Sequence, residues 1–370
     1  MWLRSIEADR FRNLRATVLA LDAGLTVLQG RNGQGKSSIL EAAYLLATGK
    51  SFRTRTLQDC VSWDGGPATV SGRVSSRSGD HQLGVVLTDG QRQLLADGSE
   101  RDFENYLGRL AVVDLTVERM KILRGNPDER RRLVDRGMVG LATARLRDLV
   151  EYRRLLAHRN ALLRRIGPAA GARELAQLAA WDERLAVAGG RVHDARRRYA
   201  VQLAAALGPP SRALFPDGQA LVVRYQPSPR RAAEVEGGEY TGVLLEDLER
   251  HRARDQGFGL THVGPHRDDL AIELDGVDLR RFGSAGQVRA ATVALKLAKL
   301  DLLRSQLGET PLFLIDDFDT DLDEPRMRAL AAYLRDGACQ TLAATSKEGL
   351  ADRLEFAARV VQVSGGALEG

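Results

Sequence analysis

The sequence is poor in cysteine, lysine, aromatic residues and long apolar runs. Of its 370 residues only Cys60 and Cys339 are cysteine, which excludes a disulfide framework and a cysteine-ligated zinc site. No apolar run approaches the roughly 20 residues that a membrane span requires. Charged residues within the first ten positions interrupt any signal-peptide core. We therefore expect a cytoplasmic protein without a membrane partner.

The basic residues are almost all arginine, and they are unevenly distributed. The chain has 54 Lys and Arg against 49 Asp and Glu, a net charge of +5, and only six of the basic residues are lysine. Residues 121–200 contain 19 basic and 9 acidic residues, a local excess of +10. Arginine binds phosphate through a fork of two donors. This segment is therefore compatible with a polyanionic partner, but its composition alone does not establish one.

Hydrophobic periodicity divides the chain into a strand-rich beginning, a helical middle and an α/β end. The apolar run 25–28 predicts a buried strand, and the spacing of apolar residues over 37–48 predicts a helix. Residues 128–207 carry the apolar stripe of long amphipathic helices, and 286–307 predict another helix. Further strands are predicted at 68–75, 81–87, 93–96, 221–223, 270–274 and 311–315.

A phosphate-binding loop is predicted between the first of these strands and the helix that follows it. The sequence GRNGQGKS matches the pattern GxxxxGK[ST]. Its glycines let backbone N–H groups surround a phosphate, and the start of the helix adds partial positive charge. Lys36 would reach the β- and γ-phosphates, and Ser37 would ligate Mg²⁺. The predicted nucleotide-binding residues are Gly30, Arg31, Asn32, Gly33, Gln34, Gly35, Lys36, Ser37 and Ser38.

The apolar strand at 311–315 ends in two carboxylates, Asp316 and Asp317. If this strand lies beside the phosphate-loop strand, Asp316 reaches the Mg²⁺ through water. Asp317 could then orient or deprotonate an attacking water molecule. A solvated acidic turn is the alternative, but the phosphate loop upstream favours the metal site. The predicted catalytic residues are Lys36, Asp316 and Asp317.

Residues 283–287, GSAGQ, open the helix that leads into the acidic strand. Ser284 can cap this helix, and Gly286 leaves the first amides open to an anion. The position of the segment before Asp316 matches the signature element of ABC-type ATPases, in which one protomer's signature contacts the γ-phosphate held by the other. Since the chain has one phosphate loop and one signature, a complete site implies a head-to-tail homodimer. Ser284, Gly286 and Gln287 are then nucleotide-binding residues.

Several stretches in a fixed order carry a family resemblance. The most specific is 261–270, THVGPHRDDL, and the others are 9–14, 30–44, 51–54, 125–135, 158–160, 181–185, 284–287 and 316–317. Together they resemble the RecF family of recombination-mediator ATPases, which are related to the SMC and Rad50 proteins. The expected fold class is α/β: an ABC-type P-loop ATPase head with an antiparallel β lobe, formed by residues 1–120 and 255–370. A mostly helical lobe without a long coiled coil is expected at 121–254.

This resemblance implies an ATP- and Mg²⁺-dependent DNA-binding protein of recombinational repair and replication restart. ATP would join two chains on duplex DNA at gaps or junctions, RecO and RecR would help it to load RecA, and slow DNA-stimulated hydrolysis would release it. The expected location is the cytoplasm, on the nucleoid. The candidate DNA contacts are Arg130, Arg131, Arg132, Arg153, Arg154, Arg196, Arg197 and Arg198.

The sequence departs from a complete ABC-type site at its sensor positions. Thr345 and Ser346 stand where many ABC ATPases carry a switch histidine, so we expect slow hydrolysis. Residues 114–118 are a candidate for the glutamine loop. Residues 320–323, TDLD, resemble the loop that crosses the dimer interface.

Other interpretations stay open at this point. His266, Asp268 and Asp269 could ligate a metal, although a turn held by a structural salt bridge is the simpler explanation. Two other classes of protein also fit parts of the sequence. One is the ATPase subunit of an ABC transporter, and the other is a metal-dependent nuclease with an ABC-type head. The nuclease would use the acidic cluster Asp317, Asp319, Asp321 and Asp323.

Overall fold

The computed structural model describes residues 1–116, 122–235, 238–317, 322–349 and 358–369. The chain forms two compact units. The first, the head unit, comprises Met1–Arg124, Ala206–Leu221 and Leu274–Gly370, and the second, the insert unit, comprises Gly125–Ala205 and Val222–Glu273. The sequence predicted a return to the head at residue 255, whereas the insert unit continues to Glu273. It does so because Asp268 and Asp269 pair with arginines of its own helices.

The secondary structure follows the predicted order. The strands are β1 (Trp2–Asp9), β2 (Thr17–Ala20), β3 (Leu25–Gln29), β4 (Ala68–Ser76), β5 (Gly79–Thr88), β6 (Gln91–Ala96), β7 (Ser99–Glu100), β8 (Val112–Leu115), β9 (Leu221–Gln226), β10 (Asp269–Leu274), β11 (Val277–Asp278), β12 (Leu312–Ile315), β13 (Thr341–Thr345), β14 (Ala358–Ser364) and β15 (Ala367–Glu369).

The helices are α1 (Lys36–Thr48), α2 (Phe103–Tyr106), α3 (Pro127–Leu141), α4 (Arg145–Ile166), α5 (Ala172–Ala206), α6 (Gly208–Leu214), α7 (Glu239–Arg250), α8 (Arg252–Phe258), α9 (Leu279–Phe282), α10 (Ala285–Leu307) and α11 (Glu324–Asp336). Within the described part of the chain, every helix is too short or too polar to span a bilayer.

The first sheet of the head unit has six strands in the order β2-β1-β4-β5-β6-β7. Neighbouring strands are antiparallel. Buried and more exposed residues alternate along β4 and, apart from one break at Ser5–Ile6, along β1, which is the pattern of a sheet with one face on the core. The three antiparallel strands predicted between residues 68 and 96 are therefore confirmed.

The second sheet of the head unit is mostly parallel and has the order β15-β14-β3-β13-β12-β8. All residues of β12 and β13 are buried, as expected for central parallel strands covered on both faces. The condition stated for the metal site, that β12 lies beside β3, is not met, because β13 pairs with both of them. The β13 sequence, TLAAT, is short and has Leu342 as its one large apolar residue, so its strand pattern is weak in the sequence.

Helix α1 lies between the two sheets and packs against strands of both. Eleven of its thirteen residues are buried, which places this helix in the centre of the head core. Gln340, just before β13, is buried as well. Its amide donates to the carbonyl oxygen of Leu3 (2.7 Å) and accepts from the Leu3 N–H (2.9 Å). These bonds tie the start of β13 to β1 and so fix one sheet relative to the other.

The insert unit is built mainly from α3, α4, α5, α7 and α8, with β9 and β10 as neighbouring strands. The turn at Gly167 ends α4, and Leu162, Leu163 and Leu178 form a buried cluster. Helices α3 and α5 approach closely at Gly137, where a Cβ atom would lie 1.9 Å from the Tyr199 ring. The predicted amphipathic helices are thus present, and they form a compact lobe rather than a long coiled coil.

Candidate functional site

The phosphate-loop residues 30–35 connect β3 to α1. Gly35 has φ +111°, a backbone conformation that residues with a side chain rarely adopt. At Gly30 a Cβ atom would lie 2.3 Å from the carbonyl oxygen of Val363 in β14. Glycine is therefore required at both positions, at one for its conformation and at the other for close packing.

The side chain of Lys36 is directed into this loop. Its ammonium group donates to the carbonyl oxygens of Gly30 (2.6 Å) and Arg31 (2.8 Å). The residue is buried, so the positive charge is held among backbone groups with little solvent screening. A cation in this place can contact a phosphate bound by the loop.

The acidic strand end meets the phosphate loop although 279 residues separate Ser37 from Asp316 in the sequence. The Ser37 hydroxyl donates to Asp316 Oδ1 at 2.8 Å. Asp316 reaches this position from β12, across the intervening strand β13. The phosphate loop, Ser37 and Asp316 therefore form one site within the head unit.

Burial raises the pKa of the Asp316 carboxyl above its usual value. The negative charge of Asp317 acts in the same direction, while the Ser37 hydrogen bond and the positive charge of Arg53 oppose it. A cation beside Asp316 would stabilise the charged carboxylate. Asp317 follows directly with φ +50°, so the chain turns sharply between the two carboxylates.

The oxygen atoms at this site suit Mg²⁺, which is usually held by one or two protein oxygens together with phosphate oxygens and water. Ser37 and Asp316 supply a hydroxyl and a carboxylate. Among the described residues there is no group of three or more His, Cys, Asp or Glu that could hold a metal alone. The site therefore fits a metal that arrives with a phosphate ligand.

Asn13 is a site residue that the sequence reasoning did not single out. Its amide nitrogen donates to the Gly33 carbonyl oxygen (3.3 Å), and its amide oxygen accepts from the Ser38 hydroxyl (2.8 Å). Asn13 thus bridges the middle of the phosphate loop and the first turn of α1. Its presence in the family-like stretch 9–14 was the signal available in the sequence.

The signature segment begins α10 with a reciprocal cap. Ser284 Oγ accepts from the Gln287 N–H (3.2 Å), and Gln287 Oε1 accepts from the Ser284 N–H (2.8 Å). The predicted helix cap at Ser284 is confirmed. Ser284 is exposed and Gly286 is partly exposed, so this helix start is accessible to a second molecule.

Part of the predicted site lies outside the described residues, namely Glu118, Asp319, Thr320 and Asp321. Asp323 caps α11 by accepting from the Arg326 N–H (3.0 Å) and pairs with the Arg326 guanidinium (2.7 Å). This structural role explains one member of the acidic cluster that the nuclease interpretation requires. Thr345 is buried at the end of β13, and Ser346 follows it.

Two of the eight candidate DNA-binding arginines are corrected by the structure. Arg130 is 2% exposed, and its guanidinium forms two hydrogen bonds with Asp269 (2.6 and 2.9 Å). Arg196 is 5% exposed and is bonded to Asp135 and Asp268, both at 2.8 Å. Neither guanidinium group can reach a DNA phosphate from this position.

The other six candidate arginines keep at least part of their surface in solvent. They are the exposed Arg153, Arg154 and Arg198 and the partly exposed Arg131, Arg132 and Arg197. Arg153 belongs to the first group, with 62% of its side chain exposed despite an ion pair with Asp135 at 3.2 Å. These six residues remain candidates for phosphate contacts.

The segment 264–269, GPHRDD, is an internal support of the insert unit. Asp268 accepts from Arg196, from the Tyr225 hydroxyl and from the Ser228 N–H, and burial raises its pKa to about 6. His266 Nε2 donates to the Thr261 carbonyl oxygen (2.9 Å). Burial lowers the pKa of His266 to about 4. These contacts favour the structural salt bridge over the metal site.

Comparison with known proteins places the chain in a family. The family model of the RecF/RecN/SMC N terminal domain matches residues 2–369. The DNA replication and repair protein RecF of Myxococcus xanthus is 35% identical over 357 residues, which cover 95% of this chain and 92% of that protein. The chain belongs to the RecF family. The RecF protein of Geobacillus thermodenitrificans is 30% identical over 369 residues, covering 100% of this chain and 99% of that protein.

Solved structures agree with this membership. The recombination mediator protein RecF with ATP, in the RecFOR pathway, has a TM-score of 0.88 and 28% identity and covers 100% of this chain and 97% of its own. The SMC head bound to the C-winged helix domain of ScpA has a TM-score of 0.57 at 15% identity, covering 100% and 96%. The second likeness shows the fold alone. The predicted RecF/SMC-like ABC ATPase head is confirmed, and the family is one of DNA replication and repair proteins.

Proposed function

We propose that this RecF-family chain is an ATP-dependent DNA-binding protein of recombinational repair that binds ATP and Mg²⁺ at the phosphate loop. The observation that carries the proposal is the 2.8 Å hydrogen bond between Ser37 and Asp316. It joins the phosphate loop to the carboxylate that such a site needs for its metal. A relative solved as RecF with ATP adds support.

Each residue of the site has a proposed role. The loop amides and Lys36 hold the phosphates, while Ser37 and Asp316 hold Mg²⁺, Asp316 through water. When bound there, Mg²⁺ would supply positive charge that stabilises the phosphate groups. Asp317 orients or deprotonates the attacking water, and Thr345 or Ser346 senses the γ-phosphate. Without a switch histidine, hydrolysis is slow.

The complete site is proposed to form between two chains. Ser284, Gly286 and Gln287 of one chain would contact the γ-phosphate held by the phosphate loop of the other. The exposed helix start at Ser284 supports this arrangement, because its cap orients the first amides of α10. ATP would then act as the link that closes a head-to-tail homodimer.

DNA is the proposed polyanionic partner of the insert unit. The exposed or partly exposed arginines would contact duplex phosphates at gaps and junctions, so binding should depend on salt and only weakly on sequence. DNA would stimulate a weak ATPase, and hydrolysis would release the dimer. The RecFOR pathway named for a solved relative supports work with RecO and RecR in loading RecA on the nucleoid.

Light scattering with and without ATP tests this proposal. We expect ATP to convert the wild-type chain from monomer to dimer and to increase its affinity for duplex DNA. Lys36→Met should stay monomeric because it binds nucleotide poorly. Ser284→Arg should also stay monomeric while it still binds nucleotide. An oligomeric state and a DNA affinity that both ignore ATP would contradict the proposal.

A further inference from the structure

The turn between β14 and β15 is bonded to the middle of the phosphate loop. The Gly365 N–H donates to the side-chain oxygen of Gln34 (2.6 Å), and the Gly366 N–H donates to the Gln34 carbonyl oxygen (2.9 Å). The Thr17 hydroxyl holds the turn from the other side by donating to the Gly366 carbonyl oxygen (2.9 Å). The phosphate loop therefore receives two bonds from a hairpin more than 300 residues away.

These bonds determine which way the loop amides face. In a trans peptide the C=O and the following N–H point in opposite directions. Because the hairpin binds the Gln34 carbonyl oxygen, the N–H of Gly35 faces away from the hairpin. Asn13 donates to the Gly33 carbonyl oxygen at 3.3 Å. The N–H of Gln34 belongs to the same peptide unit and therefore faces away from Asn13. Two successive donors are thus held in place.

We infer that Gln34 is a positioning residue whose side chain anchors the phosphate loop to the Gly365–Gly366 turn. The side-chain amide of Gln34 then contacts the turn and not the nucleotide. The turn keeps the Gly35 N–H directed at the phosphate site before the ligand arrives, so binding does not have to reorder the loop. The inference rests on the proposed function, since it assumes that this loop binds the phosphates of ATP.

The packing of the turn offers a way to separate it from the loop. A Cβ atom at Gly366 would lie 2.1 Å from the carbonyl oxygen of Asn13, so Gly366→Ala must displace the turn. Gly366 also has φ +82°, which strains any side chain. Gly98, in the turn between β6 and β7, has φ +75° with nothing within 4 Å of its Cβ position. Gly98→Ala therefore reproduces the backbone strain without the displacement.

The test measures the affinity for a fluorescent ADP analogue in the full chain, together with the melting temperature without nucleotide. Gln34→Met keeps the length of the side chain but removes its hydrogen-bond acceptor. We expect Gln34→Met and Gly366→Ala each to weaken binding about 5- to 10-fold, the effect of one orienting hydrogen bond. The double variant should bind no more weakly than Gly366→Ala, because both substitutions break the same contact between Gln34 and the turn. Gly98→Ala should bind as wild type.

The outcomes distinguish this inference from the proposed function. Wild-type affinity in both Gln34→Met and Gly366→Ala, with binding lost in Lys36→Ala, would overturn the anchoring role and leave the ATP site intact. Fully additive losses in the double variant would also overturn it. A wild-type chain that binds no ADP would overturn the proposed function itself. If Gly366→Ala does not fold, the affinity of Gln34→Met for the ADP analogue still decides the question, and its melting temperature shows that this variant is folded.

Discussion

Replacing Arg196 by methionine should destabilise the insert unit without removing a DNA contact. Arg196 is buried, and it holds two carboxylates, Asp135 at 2.8 and 3.2 Å and Asp268 at 2.8 Å. Burial opposes its charge, but these two carboxylates outweigh burial and raise the pKa of the guanidinium. Methionine has a similar length, but it leaves Asp268 buried without its cation and leaves Asp135 with only the exposed Arg153.

We expect Arg196→Met to lower the free energy of unfolding by about 3–5 kcal/mol, the range for breaking a buried ion pair from one side. The loss should depend on pH. Burial already raises the pKa of Asp268 to about 6, and loss of Arg196 would raise it further. When a carboxyl has a higher pKa in the folded state than in the unfolded state, the free energy of unfolding increases as the pH falls through the folded-state pKa. The difference in free energy of unfolding between Arg196→Met and wild type should therefore decrease as the pH falls from 7 to 5.

Urea unfolding followed by far-UV circular dichroism measures this effect at both pH values. Arg154→Met, at an exposed position on α4, is the matched control and should change stability by less than about 0.5 kcal/mol. In DNA-binding assays the pair should behave in the opposite way. Arg154→Met should weaken binding, and folded Arg196→Met should bind duplex as wild type. A loss of stability below about 1 kcal/mol in Arg196→Met would contradict a buried ion-pair role for Arg196.

Two other substitutions test the packing of the insert unit. Gly137→Ala places a methyl group against the Tyr199 ring and should lower the free energy of unfolding by about 1–3 kcal/mol in urea titrations. Gly242→Ala in α7 meets nothing within 4 Å and should raise it by about 0.4–1 kcal/mol; equal effects would contradict the packing. Burial lowers the pKa of His193 to about 4, so the unfolded chain takes up its proton first as the pH falls. Between pH 7 and 5 this should lower the free energy of unfolding by about 2 kcal/mol. His193→Phe, which preserves the stacking on Tyr240, should abolish this part of the pH dependence. If the free energy of unfolding of His193→Phe depends on pH as in wild type, His193 titrates normally.

The phosphate loop could be predicted from the sequence because its determinants are local. Strand, glycine-rich turn, Lys36 and helix follow one another within about twenty residues, and each has its own sequence signal. The cap at Ser284 was predictable for the same reason. Its partner Gln287 lies three residues away, at the spacing that a capping box requires.

The strand order and the burial of individual arginines could not be predicted in this way. The place of β13 between β3 and β12 depends on pairing across the whole head unit. Arg130 and Arg131 are neighbours in one basic run, yet only Arg130 is fully buried. Its carboxylate partner, Asp269, lies 139 residues further along the chain. The charge and type of an arginine do not show which distant carboxylate it meets in the folded chain. The bonds between Gln34 and the β14–β15 turn were hidden for the same reason.

We propose that a complete ATP site needs the phosphate loop of one chain and the signature segment of another. Mixing Lys36→Met chains with Ser284→Arg chains tests it directly through the rate of ATP hydrolysis. In a head-to-tail dimer of the two variants, one site carries both substitutions and the other carries neither. We expect each variant alone to be inactive and the mixture to recover up to about half of the wild-type rate per chain. A mixture as inactive as its components would contradict a site shared between two chains.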